Sequence, residues 1–171
     1  NLQVTLTDTV GFIQDLPTEL VTSFKSTLEE SKNVDLLVHV IDASDPNHEE
    51  HEKTVLSIMK DIDMLEIPRL TLYNKADKVT DFTPTQTPFS LISARSETAR
   101  EDLQALLLEK LRELFVPFTI RVPFSKSYRT HDLETVAIID QREFEEDVEV
   151  IQGYIAEKNK WKLEEFYDGL R

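Results

Sequence analysis

The stretch Asp35-Leu36-Leu37-Val38-His39-Val40-Ile41-Asp42 decides the fold. It is nearly continuously apolar, too short for a helix of average length, and it runs into the turn-forming Ala43-Ser44-Asp45-Pro46. An apolar run without polar alternation suits a parallel strand covered on both faces. His39, inside the run, reads as a core histidine whose ring nitrogens are satisfied. Downstream, Asp45 supplies an N-cap and Pro46 a first-turn proline, and Val55, Ile58, Met59 and Ile62 recur at helical spacing. Residues 69–73 read as the next strand and residues 89–92 as a short one, after a Thr- and Pro-rich loop at 81–88. Thr98 and Glu101 have capping-box spacing and open a helix with a stripe of Leu103, Leu107, Leu111 and Leu114. Upstream, residues 2–7 alternate Val4 and Leu6 with polar residues, a strand that delivers Asp8 to its carboxyl end. Pro17, Leu20, Val21, Phe24 and Leu28 then outline a helix with one buried face. Strand and helix alternate throughout, which predicts a doubly wound α/β domain over residues 1–116.

The pattern changes at Pro117. A strand at 118–122, a short helix at 130–139, a hairpin at 144–155 turning near Glu146-Asp147, and a helix at 160–167 predict a small βαββα domain over residues 117–171. The 171 residues are 40% hydrophobic and 30% charged. No apolar run approaches the roughly 18 residues of a membrane span. The net charge of −14 disfavours broad phosphate binding, which rests on cationic side chains releasing counterions. There is no cysteine and no signal-peptide pattern, so the expected location is cytoplasmic. The three glycines, Gly11, Gly153 and Gly169, cannot form the phosphate-cradling GxxxxGK[ST] loop, because Leu16 and Lys158 stand where a second glycine is needed.

Three short sequences sit at the carboxyl ends of predicted strands, where open α/β sheets bind ligands. They are Asp8-Thr9-Val10-Gly11, Asn74-Lys75-Ala76-Asp77 and Ser93-Ala94-Arg95. Asp and Asn capping an ordinary turn explains any one of them; DxxG, NKxD and SA in this order have the form of the second half of a guanine-nucleotide-binding domain. Guanine offers N1–H and the N2 amino group side by side, and the Asp77 carboxylate can accept both. Adenine offers neither, so a site built on this pairing rejects it by about 10⁴ to 10⁵. Asn74 braces the loop, the Lys75 stem lies along the base, and the Ala94 N–H donates to O6. Asp8 holds Mg²⁺ through water, and Gly11 admits the γ-phosphate to a backbone N–H.

The set from Asp8 through Phe12-Ile13-Gln14-Asp15-Leu16-Pro17, with Leu20-Val21, Phe24 and Thr27-Leu28-Glu29-Glu30, resembles the switch II signature of HflX-family GTPases. Residues 35–44, NKAD and SAR match that family in order and spacing, although Gln14 stands where it usually has Arg. The resemblance implies a GTPase that binds GTP or GDP with Mg²⁺ and associates with ribosomes, chiefly the large subunit, to split or rescue stalled ones. It also implies an incomplete parallel sheet, since the chain starts just before DxxG, with the first strand, the phosphate loop and switch I missing. Strand 2–7 is then expected to close against 36–41, to be exchanged with another molecule as in a dimer, or to detach. Phe12 replaces a water-orienting Gln, so no catalytic residue is assigned. This piece alone is expected not to hydrolyse GTP and to hold nucleotide very weakly. The alternative is a non-catalytic module that binds a ribosomal or protein partner.

Other clusters read as ordinary surface or core. His48 and His51 with Glu49, Glu50 and Glu52 form a solvated helix start, not the HExxH spacing of a metal site. Glu143, Glu145, Glu146 and Asp147 form a solvated hairpin, and Trp161, Phe166 and Tyr167 pack the last helix on that hairpin.

Overall fold

A computed structural model of the chain describes residues 2–9 and 33–167. They divide into two compact units, residues 7–105 and residues 1–6 with 106–171.

In the first unit, β1 (Leu37–Asp42) pairs in parallel with β2 (Arg69–Asn74), from Leu37 opposite Arg69 to Asp42 opposite Asn74. β3 (Ser90–Leu91) adds to the far side of β2, giving a three-stranded parallel sheet of order β1-β2-β3. Full cover on both faces, expected of the run 35–42, is found instead at the central strand, where Leu70, Thr71, Leu72 and Tyr73 are all buried. It fails for β1, whose Val40 is 56% exposed. Among the described residues β1 has one strand neighbour, so it is an edge and its apolar run is only half used.

Helix α1 (His48–Asp61) gives Val55, Leu56, Ile58 and Met59 to a cluster completed by Ile62 and Met64 beyond its end and by Leu37 and Ile67. The expected cap at Asp45 with Pro46 in the first turn is corrected. The Asp45 side chain accepts the Asn47 N–H at 2.9 Å, closing a turn, and the helix starts three residues later with Asn47 at the cap position. The far end is a Schellman motif. Met64 N–H bonds Met59 O at 2.8 Å, Asp63 N–H bonds Lys60 O at 3.2 Å, and Asp63 takes φ 57°. Helix α2 (Ala99–Leu114) begins after Thr98, whose hydroxyl donates to Asp102, not Glu101, at 2.8 Å.

Residues 2–9 form no strand, which overturns the strand expected at 2–7. Among the described residues the segment forms no ladder with β1, and its Gln3 N–H bonds Thr135 O at 3.0 Å. The alternation of Val4 and Leu6 is a strand signal only where a neighbour can receive it, and both side chains are exposed. The helix expected from Pro17 to Leu28 lies outside the described residues.

In the other unit, β4 (Val116–Pro123) is followed by a 3₁₀ turn at Phe124–Arg129 and helix α3 (Thr130–Glu134), then β5 (Ala137–Glu145), β6 (Val148–Ile155) and helix α4 (Trp161–Tyr167). The sheet is antiparallel with order β4-β6-β5. Period-2 alternation sends Phe118, Ile120 and Val122 inward, onto Leu133, Ile151, Ile155, Leu163 and Phe166. The helix expected at 130–139 is cut short, because Ala137, Ile138 and Ile139 are better used in the β5 ladder, which starts with Ala137 opposite Ile155. The expected packing of the last helix applies to Phe166 and not to Trp161, which is 56% exposed.

Candidate functional site

The three parallel strands end at Asp42, Asn74 and Leu91, so register brings the loops beyond them to one edge. Asn74 closes β2 and its side-chain oxygen accepts two backbone N–H groups, from Lys75 at 2.8 Å and from Ala94 at 3.0 Å. Lys75 takes φ 63°, the left-handed conformation, which turns the chain sharply into a 3₁₀ turn at Ala76–Lys78. Ala76 N–H bonds Ile92 O at 3.0 Å, and Ile92 N–H bonds Tyr73 O at 2.9 Å. Ser93 Oγ donates to Asp77 Oδ1 at 2.5 Å, and the Arg95 N–H reaches back to Ser93 Oγ at 3.4 Å. The NKAD and SAR loops are therefore stitched together at three points.

The hydrogen bond from Ser93, with the Arg95 and Lys78 charges beside it, holds the exposed Asp77 carboxyl below the usual aspartate range. It is a ready anionic acceptor. Asp42, at the end of β1, was not foreseen as part of the site. Burial pushes its carboxyl up, but hydrogen bonds from the Lys75 ammonium and from Ser44 outweigh this and bring it down to about 2. Ser44 donates its N–H and its hydroxyl to Asp42 Oδ1 at 2.9 and 2.7 Å, while the Lys75 Nζ takes Oδ2.

Beneath these loops lies a second group that sequence reasoning missed. Tyr73 is fully buried and donates to the buried Glu52 carboxylate at 3.1 Å, while accepting the Thr85 and Gln86 N–H groups at 3.2 Å each. The Thr85 hydroxyl also donates to Glu52. This network fixes the loop between NKAD and β3 from below. Its one signal in the sequence was Glu52 falling on the apolar side of an acidic helix start.

Asn74, Lys75, Asp77, Ser93, Ala94 and Arg95 are thus brought together. Asp8 is exposed in the irregular 2–9 segment, not at a strand end, and takes no part in the stitching of the two loops. Gly11 and Phe12 lie outside the described residues. The residues suit a guanine base, because a carboxylate has about four acceptor sites and Ser93 takes one. For Mg²⁺, no group of three or more His, Asp or Glu side chains that could hold a metal ion occurs among the described residues. His51 pairs with Asp45 at 3.0 Å, and His48 bonds Asp45 O at 2.8 Å and packs its ring on Tyr73 and Phe82. His39 departs from expectation, since its buried Nδ1 has no hydrogen-bond partner among the described residues.

The GTPase HflX of Alkalihalophilus pseudofirmus is 43% identical over 161 residues, 90% of this chain and 37% of the relative. The chain belongs to the HflX family. The GTPase HflX of Caldanaerobacter subterraneus is 34% identical over 165 residues, 96% of the chain and 38% of the relative. That of Escherichia coli is 34% identical over 152 residues, 85% and 36% respectively. Matches of this length take in both compact units of the HflX-family chain. It spans a little over a third of the length of these curated relatives. No protein-family model matches it. No helix among its described residues is long and apolar enough to cross a membrane.

Proposed function

We propose that residues 1–116 supply the guanine-reading half of a GTP- and GDP-binding site, and that residues 117–171 form a separate small module. The whole protein is then a cytoplasmic HflX-like GTPase that works on ribosomes, chiefly the large subunit. One observation carries this reading: Asn74 and Asp77, one turn apart, each bond the Ser93-Ala94 segment, so two motifs distant in sequence make one receptor at the sheet's carboxyl edge. Asp77 accepts the paired guanine donors, Lys75 lies along the base, and guanine O6 competes with Asn74 for the Ala94 N–H. Asp8 and Gly11 face the phosphates, with Mg²⁺ held by Asp8 through water. Helix N-termini and phosphate loops supply most of the affinity for a nucleotide's phosphates. These 171 residues contain no such loop, so alone they neither turn over GTP nor bind GDP tightly.

The test is a titration of the ¹⁵N-labelled chain with GMP and, separately, AMP. GMP is expected to shift the amides of Lys75, Ala94 and Arg95, and AMP to leave them. Equal shifts with both overturn base reading. Calorimetry with GDP checks the second part, which micromolar or tighter binding overturns. Cosedimentation of the full-length protein with purified large subunits, with and without GTP, tests the ribosomal part.

A further inference from the structure

We propose that Asp42 is a positioning residue of the base site, holding the Lys75 ammonium so that the Lys75 stem is set in place to lie along the base. This rests on the guanine reading and adds to it a residue from another strand and outside all three motifs. Register is the first support: Asp42 lies opposite Asn74, the residue before Lys75, at the edge where both strands stop. The second is the left-handed turn at Lys75, φ 63°, a conformation that is costly for a residue with a Cβ. Asn74 offsets that cost locally by accepting the Lys75 N–H, and Asp42 fixes the other end of the same residue. The third is the division of labour within the carboxylate. Oδ1 is taken by the Ser44 N–H and hydroxyl, which orient the group and leave Oδ2 for the ammonium. Ala43 N–H bonds Asn74 O at 2.9 Å, so the segment carrying Asp42 and Ser44 is tied to the segment it serves.

A free lysine stem has several rotamers, and binding a base against it must select one. An ion pair already made in the ligand-free protein removes most of that selection, the ordinary effect of preorganisation. Asp42 itself touches no base atom. Its effect runs through Lys75, which gives the test its form.

The experiment is a double-mutant cycle on the chain, read as GMP and AMP affinities from amide shifts. Asp42→Asn and Lys75→Met are each expected to weaken GMP about tenfold, and the two together no more than Lys75→Met alone, because coupled residues do not add. Asp42→Glu is expected to recover part of the loss. Additive losses, or an Asp42→Asn variant that binds like the wild type, overturn the proposal. If Asp42→Asn does not fold, Lys75→Met, which keeps both stem and carboxylate, decides: unchanged GMP affinity overturns it and a tenfold loss supports it. Failure of the base reading is a separate outcome, seen as equal GMP and AMP affinities in the wild-type chain, and it takes the proposal down with it.

Discussion

The side-chain oxygen of Asn74 and the backbone N–H of Ala94, twenty positions apart, meet at 3.0 Å. The bond joins the end of the most buried strand to a loop that β3, only two residues long, does little to hold. Asn74→Ala removes the acceptor for both the Ala94 and the Lys75 N–H groups. Both are near the surface, where water replaces part of the loss, so a destabilisation of about 1 kcal/mol is expected. Amide hydrogen exchange at Ala94 should rise by tenfold or more while exchange in β4 and β6 stays unchanged. Protection at Ala94 equal to that of the wild type would show that the latch is not what orders the loop.

Gly153 sits in β6 between β4 and β5, opposite Phe118 and Ile139. A Cβ built there falls 2.0 Å from the Ile138 carbonyl oxygen, a backbone atom that cannot swing away. The close approach accompanies the register shift between Ile139 and Gln141. Gly153→Ala is therefore expected to cost about 1–3 kcal/mol, the range of an overpacked core. Urea unfolding followed by fluorescence of the lone tryptophan, Trp161, reads the unit directly. A midpoint within error of the wild type would mean that the sheet absorbs a methyl group at this position.

The parts legible in the sequence were those set by local rules. Apolar runs marked β1 and β2, spacing marked α1 and α2, and motif order marked the Asn74, Asp77 and Ser93 cluster. What escaped depended on neighbours. Val4 and Leu6 carry a strand's alternation, yet residues 2–9 form no strand, because alternation specifies a face and not a partner. Asp42 ends an apolar run as many capping residues do, and only register against Asn74 gives it Lys75. Trp161 has the composition of a packing residue and the position of a surface one. In each case the decisive fact is which backbone lies alongside.

Asp63 occupies the left-handed position of the Schellman motif that ends α1, where glycine is the usual residue. Its side chain is exposed and no described hydrogen bond uses it. Asp63→Gly should therefore stabilise the chain by about 1 kcal/mol, the strain of an L-residue in this conformation less the added freedom of the unfolded chain. Asp63→Val, with a branched Cβ, should destabilise it by a similar amount. Thermal melts of both variants check the sign, and a Gly variant that melts lower would indicate that the Asp63 carboxylate does more than tolerate its backbone.

His39 predicts how the sheet responds to mild acid. Burial pushes its imidazole below the usual histidine value of 6.5; the facing Glu52 works against this and Arg69 with it. The neutral ring is thus the form the fold accepts, and among the described residues Nδ1 has no hydrogen-bond partner. The unfolded chain takes up a proton below pH 6.5 while the folded chain does not. Stability therefore falls as pH drops from 6.5 towards the lower folded value, by at most about 1.4 kcal/mol per unit. Asp42 responds in a separate window. With its folded value at about 2, its contribution is complete above pH 4 and is lost only as pH falls towards 2. Urea midpoints at pH 7.5 and 5.5 isolate the histidine. The wild type should lose stability between them, and His39→Gln, which keeps a polar side chain and cannot titrate, should lose markedly less. Equal losses in both proteins would mean that His39 is protonated in the folded chain, with its charge met by Glu52.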